Sequence, residues 1–120
     1  MNRVLIIEDN LQDAFLIQTH LNRCKFLTSV SVNLFDILKK VENKLVDILT
    51  IDLQMPELDG QYLIEHVRKV DQTIPIVVIT AMATEESRIA CLQKGANYYI
   101  TKPFSKADFE RVFKNIKNPN

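Results

Sequence analysis

Glycine and proline are scarce, with two Gly and four Pro in 120 residues. No run of them forms a linker, and no internal repeat or low-complexity segment breaks the chain. The length suits one domain, taken as residues 1–120, with no output domain expected, since only Lys117-Asn118-Pro119-Asn120 remains after the last helical segment. Long apolar runs are also missing. None approaches the ~20 residues of a membrane span. Met1-Asn2-Arg3 leads into a short apolar run and then acid, without the apolar region and cleavage site of a signal peptide. The expectation is a cytoplasmic protein with no membrane partner. Neither sign of charge is in excess, because 15 Lys+Arg offset 15 Asp+Glu. That balance argues against a direct nucleic-acid binder. Cysteine is nearly absent, and Cys24 and Cys91 show no metal-ligand spacing, so reduced, partly buried thiols are expected. His20 and His66 fall on helical segments apart from the acidic residues, which points to packing or solvent rather than chemistry.

What is present is an ordinary balance, 47% apolar and 25% charged, sufficient for a single core. Apolar runs alternate with helix-like segments five times, the pattern of βα units and a parallel sheet. Strands are expected at residues 3–8, 27–32, 46–51, 76–79 and 97–101. The first helix, 10–23, places Leu11, Ala14, Ile17 and Leu21 on one face. The second is capped by Asn33 and presents Leu34, Ile37, Leu38 and Val41. The third, 60–70, buries Leu63, Ile64, Val67 and Val70. The fourth, 84–94, stops at Gly95 and has a thin stripe of Ile89, Leu92 and some alanine, which makes it the least anchored element. Ser105 caps the last, whose face is Phe109, Val112, Phe113 and Ile116. The near-continuous apolar first, third and fourth strands suit the centre of a sheet covered on both faces.

The chemistry-bearing residues lie where the apolar runs end. Val4-Leu5-Ile6-Ile7 meets Glu8-Asp9. The third run meets Asp52, with Met55-Pro56 and Asp59-Gly60 following. The fourth ends at Thr80-Ala81 and the fifth at Thr101, followed by Lys102-Pro103. If these strands are parallel, their carboxyl ends share one edge, where ligands of open α/β sheets bind. Three carboxylates crowded there repel one another, which suggests a divalent cation. Plainer roles exist for each residue. Asp52 suits a strand end, Asp9 a helix cap, Thr80 a β-favoured position, Tyr99 a packed aromatic and Lys102 a solvated terminus. Asp59 fits a cap and turn former better than a ligand.

In order and spacing, Glu8-Asp9, the segment Asp52-Leu53-Gln54-Met55-Pro56-Glu57-Leu58-Asp59-Gly60, Thr80-Ala81 and Lys102-Pro103-Phe104 resemble the receiver domain of bacterial-type two-component response regulators, over residues 3–116. The resemblance implies a flavodoxin-like, doubly wound (βα)5 fold with a five-stranded parallel sheet in order 2-1-3-4-5. It implies Asp52 as phospho-acceptor and Mg2+ as cofactor, with Mn2+ as a substitute. Asp9 would hold the metal directly, Glu8 through water, and Asp52 and the Gln54 backbone carbonyl would complete the protein's share. Lys102 would reach the aspartyl phosphate, Thr80 would bond a phosphate oxygen, and small Ala81 would leave room. Thr80 and Tyr99 would form the switch, and the Lys102–Pro103 bond would be cis. Gln54 and Met82 would flank the path of the hydrolytic water and set the lifetime. The implied partners are a histidine kinase or phosphotransfer protein and a downstream effector protein, or an output domain absent from this chain. On this reading the protein is a signalling acceptor, not an enzyme beyond its own phosphorylation and slow dephosphorylation.

Three other readings fit less well. An Asp-nucleophile phosphatase needs an acid or base two residues after the nucleophile, where Gln54 cannot shuttle a proton. A receiver reduced to binding partners would lack Asp52, the acidic pair or Lys102. A flavin module would need a phosphate-cradling loop after the first strand, where Glu8-Asp9-Asn10 is acidic.

Overall fold

The computed structural model describes residues 2–117; Met1 and Asn118-Pro119-Asn120, which belong to the expected chain ends, lie outside the described residues. Strands β1 (Arg3–Ile7), β2 (Leu27–Val30), β3 (Ile48–Ile51), β4 (Ile76–Thr80) and β5 (Tyr98–Thr101) alternate with helices α1 (Leu11–Arg23), α2 (Leu34–Glu42), α3 (Gly60–Val70), α4 (Glu85–Lys94) and α5 (Lys106–Lys117). The five strands are parallel in the order β2-β1-β3-β4-β5, the flavodoxin-like arrangement. A small antiparallel hairpin, Gln54–Met55 against Leu58–Asp59, occupies the loop after β3.

Strand periodicity explains the two-sided core. Successive side chains point to opposite faces. Leu5, Ile7, Leu49, Ile51 and Val78 therefore face one layer, with Ile37, Val41, Leu63, Ile64 and Val67 from α2 and α3. Val4, Ile6, Ile48, Val77, Ile79 and Ile100 face the other, with Ile17 and Leu21 of α1 and Phe109, Val112 and Phe113 of α5. Truncating one of the two fully buried phenylalanines, Phe109 or Phe113, to alanine carries a cost of about 3–5 kcal/mol.

Helix starts are fixed locally. Asn10, Asn33, Asp59 and Thr84 each accept a backbone N–H of the first turn, and Ser105 exchanges hydrogen bonds with Asp108. Gly95 ends α4 at φ 124°, a conformation that side chains rarely adopt.

Three expected core positions are exposed instead: Leu11 at 83%, Ile89 at 44% and Val70 at 39%. Leu11 opens α1 just past the end of β1, so it overhangs the sheet and has nothing beneath it. Val70 is the last residue of α3. On α4 only Ser87 and Cys91 are fully buried, so Ile89 is not held and the helix is thinly anchored, as its composition indicates. β2 ends at Val30 rather than residue 32, and β3 begins at Ile48 rather than 46. Asp47, just before β3, clasps Arg3 with its carboxylate while its backbone N–H donates to the Arg3 carbonyl at 2.8 Å.

Candidate functional site

β1 and β3 end level, with Ile7 opposite Ile51, so the residues after them emerge side by side at one edge. Glu8 and Asp52 are buried there, while Asp9 is exposed. One carboxylate oxygen from each of the three lies within 4.8 Å of the others. The Asp52 N–H donates to the Ile7 carbonyl at 3.1 Å, which ties this residue to β1. Glycine at position 60 brings α3 against the same point, since a Cβ there would stand 2.7 Å from the Asp52 carbonyl oxygen and 2.8 Å from Leu53 Cα.

Lys102 follows β5 and crosses to this cluster. Its Nζ donates to Glu8 Oε1 at 2.6 Å, Asp13 Oδ2 at 2.8 Å and Asp52 Oδ2 at 3.0 Å. The other Asp52 oxygen accepts the Gln54 N–H at 3.0 Å, and Glu8 Oε2 accepts the Asn10 N–H at 3.1 Å. The Lys102 backbone N–H donates to the Thr80 carbonyl at 2.8 Å, which fixes the root of the side chain, and the Lys102–Pro103 peptide is cis, as expected.

Burial and pairing split the two buried carboxylates. Burial is the main influence on Glu8 and pushes its carboxyl up, although Lys102 and the Asn10 amide oppose it. Burial also works upward on Asp52, but the Gln54 amide and the Lys102 ammonium outweigh it and hold Asp52 below the usual range. Lys102 is raised, because hydrogen bonds to Asp13, Glu8 and Asp52 overcome the burial that would lower it.

The remaining expected residues form the rim. Thr80 is fully buried and its Oγ1 accepts the Met82 N–H at 3.3 Å. Ala81 is exposed and Met82 half-buried. The Tyr99 hydroxyl donates to the Met82 carbonyl at 2.7 Å and lies 3.0 Å from Ser87 Oγ. Its phenol is raised by that burial. Gln54 has an exposed side chain, and its backbone N–H is what meets Asp52. The structure therefore joins Glu8, Asp9, Asp52 and Lys102 directly, with Thr80, Ala81, Met82 and Tyr99 one layer away. Asp59 caps α3 through the Gln61 N–H at 2.9 Å, the role its sequence suggested.

Asp13 was not among the expected site residues. An acidic residue in the first turn of a helix is ordinarily explained by the helix dipole. Its ion pair with Lys102 spans 89 positions, and no local pattern signals it.

A cation fits this set. The donors are carboxylate oxygens, suited to hard divalent ions. Four carboxylates, Glu8, Asp9, Asp13 and Asp52, gather near one ammonium, a surplus of negative charge that a divalent ion would relieve.

The family model for the response regulator receiver domain matches residues 4–114. The chain belongs to this family. Among relatives of this receiver domain, an uncharacterized 14.6 kDa protein in the sodA1 3′ region of Leptolyngbya boryana is 33% identical over 111 residues, covering 91% of this chain and 85% of that protein. The transcriptional regulatory protein YxdJ of Bacillus subtilis (strain 168) is 29% identical over 118 residues, covering 98% of this chain and 50% of YxdJ. The receiver domain of sensor histidine kinase PA1611 from Pseudomonas aeruginosa PAO1, whose crystal structure has a magnesium ion coordinated in the active site cleft, is 27% identical with a TM-score of 0.83 over 95% of each chain. The receiver domain spans 42–50% of the length of several regulators that it matches. Among the described residues, no helix is long and apolar enough to cross a membrane.

Proposed function

We propose that this receiver domain accepts a phosphoryl group on Asp52 from the phosphohistidine of a histidine kinase or phosphotransfer protein. The observation that carries this reading is the setting of Asp52: buried at the end of β3, low in pKa, held by Gln54 and Lys102, with the Glu8 and Asp9 oxygens beside it. An ionised carboxylate oxygen attacks phosphorus, the P–O bond forms, the P–N bond breaks, and the leaving imidazole takes a proton. Asp9, Glu8, Asp52 and the Gln54 backbone carbonyl would hold Mg2+, or Mn2+ in its place. A bound divalent cation supplies charge neutralisation on the transferring phosphoryl oxygens. Lys102, fixed at its root by Thr80, supplies the side-chain positive charge, and the Thr80 hydroxyl would bond a phosphoryl oxygen.

Tyr99 links the site to a surface. Its hydroxyl already contacts the Met82 carbonyl in the loop after β4, and it contacts Ser87 on thinly anchored α4. Phosphorylation would draw Thr80 toward the phosphoryl group and shift the balance of conformations across the α4-β5-α5 face, where a downstream effector or an output domain would bind. The setting is the cytoplasm, and the chain is a signalling module whose only chemistry is on itself.

Incubation with acetyl phosphate and Mg2+, followed by intact-mass measurement, tests the reading. Wild type gains one base-labile phosphoryl group and Asp52→Asn gains none. Unchanged labelling of Asp52→Asn would move the nucleophile elsewhere.

A further inference from the structure

We propose that Asp13 restrains Lys102: it competes with the phosphoryl group for the ammonium, so that removing its charge tightens the site's hold on a phosphoryl group. This rests on Asp52 as the acceptor and goes beyond it, because it gives a role to a residue of α1.

An ammonium has three N–H donors and no more. In this structure Lys102 directs them to Glu8, Asp13 and Asp52 at 2.6, 2.8 and 3.0 Å. A phosphoryl group on Asp52 can be met by Lys102 only if one of these bonds is given up. Glu8 and Asp52 belong to the group of oxygens within 4.8 Å that suits a cation, so both have another partner available. Asp13 is outside that group. Among the described residues its side chain has no other hydrogen bond or ion pair, so it stays a rival for Lys102.

Its position is set independently of the site. Asn10 accepts the Asp13 backbone N–H at 2.9 Å, which fixes the first turn of α1 and aims the carboxylate across to the loop after β5. The dipole of α1 favours an acid at this turn but does not require it to spend a hydrogen bond on Lys102. Two effects on a phosphoryl dianion then have the same sign. The Asp13 charge repels it, and the Asp13 oxygen occupies a donor that it needs. The pair is partly open, with side-chain exposures of 15% for Lys102 and 31% for Asp13, so the restraint is moderate.

The test is a titration with fluoroberyllate, a phosphoryl mimic, at saturating Mg2+, followed by amide NMR shifts. Asp13→Asn preserves size and helix and removes only the charge. It is expected to bind fluoroberyllate about two- to fivefold more tightly than wild type, the range of an exposed to half-buried charge pair. Asp13→Glu, which can reach Lys102 again, should return toward the wild-type value. In a Lys102→Met background, Asp13→Asn should gain much less, because direct repulsion is left but there is no ammonium to release. Unchanged or weaker binding by Asp13→Asn, alongside normal binding by wild type, overturns the inference alone. An equal gain in the Lys102→Met background assigns the effect to the general field and also overturns it. Wild type that binds no fluoroberyllate overturns the phospho-acceptor reading and this inference with it. Should Asp13→Asn fail to fold, Asp13→Ser is held to the same expectations.

Discussion

At the amino edge of the sheet a guanidinium grips a single carboxylate, while at the carboxyl edge one ammonium is divided among three carboxylates. Asp47 receives Arg3 Nε at 3.0 Å, a terminal guanidinium nitrogen at 3.1 Å and the Arg3 backbone N–H at 2.8 Å. Those bonds, the side-chain ones foremost, lower its carboxyl to about 2. Lys102 also has every donor engaged, yet Asp9 stays outside its reach and the local charge stays negative. The first end is a closed clamp that joins β1 to the turn before β3. The second is balanced only when something positive arrives. Carboxylates and a nitrogen cation, in different proportions, give a structural joint in one place and a candidate site in the other.

Divalent cation should separate the two ends most strongly. Mg2+ at a hundred times its dissociation constant should stabilise wild type by about 2.7 kcal/mol, a rise of roughly 10 °C in melting temperature. Asp9→Ala should weaken binding and shrink the rise at the same Mg2+ concentration, whereas Arg3→Met should leave it intact. A melting curve indifferent to Mg2+ would erase the distinction. Next in size is the loss of the shared ammonium. In chelator, Lys102→Met leaves crowded carboxylates without a counter-ion and should cost about 2 kcal/mol by urea unfolding, below the full value for a closed buried pair because Asp13 is partly solvated. Saturating Mg2+ should return part of that loss; a variant as stable as wild type in chelator would mean that the carboxylates do not need Lys102.

Much of this contrast is legible in the residues. Each apolar run points at its polar terminus, and the parallel arrangement follows from βα alternation, so the sequence pattern alone groups Glu8, Asp9, Asp52 and Lys102. The caps Asn33 and Ser105 and the stop at Gly95 are local signals and were equally readable. Leu11 was not, since helical spacing groups it with Ala14 and Ile17 but cannot reveal that the helix begins beyond the sheet. Nor was Asp13, because its partner is 89 residues away and the dipole explains it locally. The short hairpin at Gln54–Met55 escaped for a third reason: two-residue strands have no periodicity to detect.

Two smaller effects refine the contrast. Met82 stands half-buried beside the site and offers no group to orient a water. Met82→Glu and Met82→Asn should each speed decay of the phosphoprotein, by roughly two- to fivefold for a hydrogen bond of ordinary strength. Equal single-turnover decay rates in all three proteins would remove position 82 from the water path. The smallest effect is at the amino edge. The folded pKa of Asp47 lies below its unfolded value, so its contribution is fully present above about pH 4 and is lost as pH falls through about 2. Arg3→Met should therefore be less stable than wild type at neutral pH, with the gap closing near pH 2. A gap constant with pH would mean that the clamp acts through packing and not through charge.

Gly60 sets how closely α3 can approach Asp52. With the Asp52 carbonyl oxygen only 2.7 Å from where a Cβ would stand, no slack separates the first residue of α3 from the Asp52 backbone. Any side chain at position 60 would push the helix and the strand end apart. Packing is thus uneven around the candidate site: close behind Asp52, and thin on the side of α4.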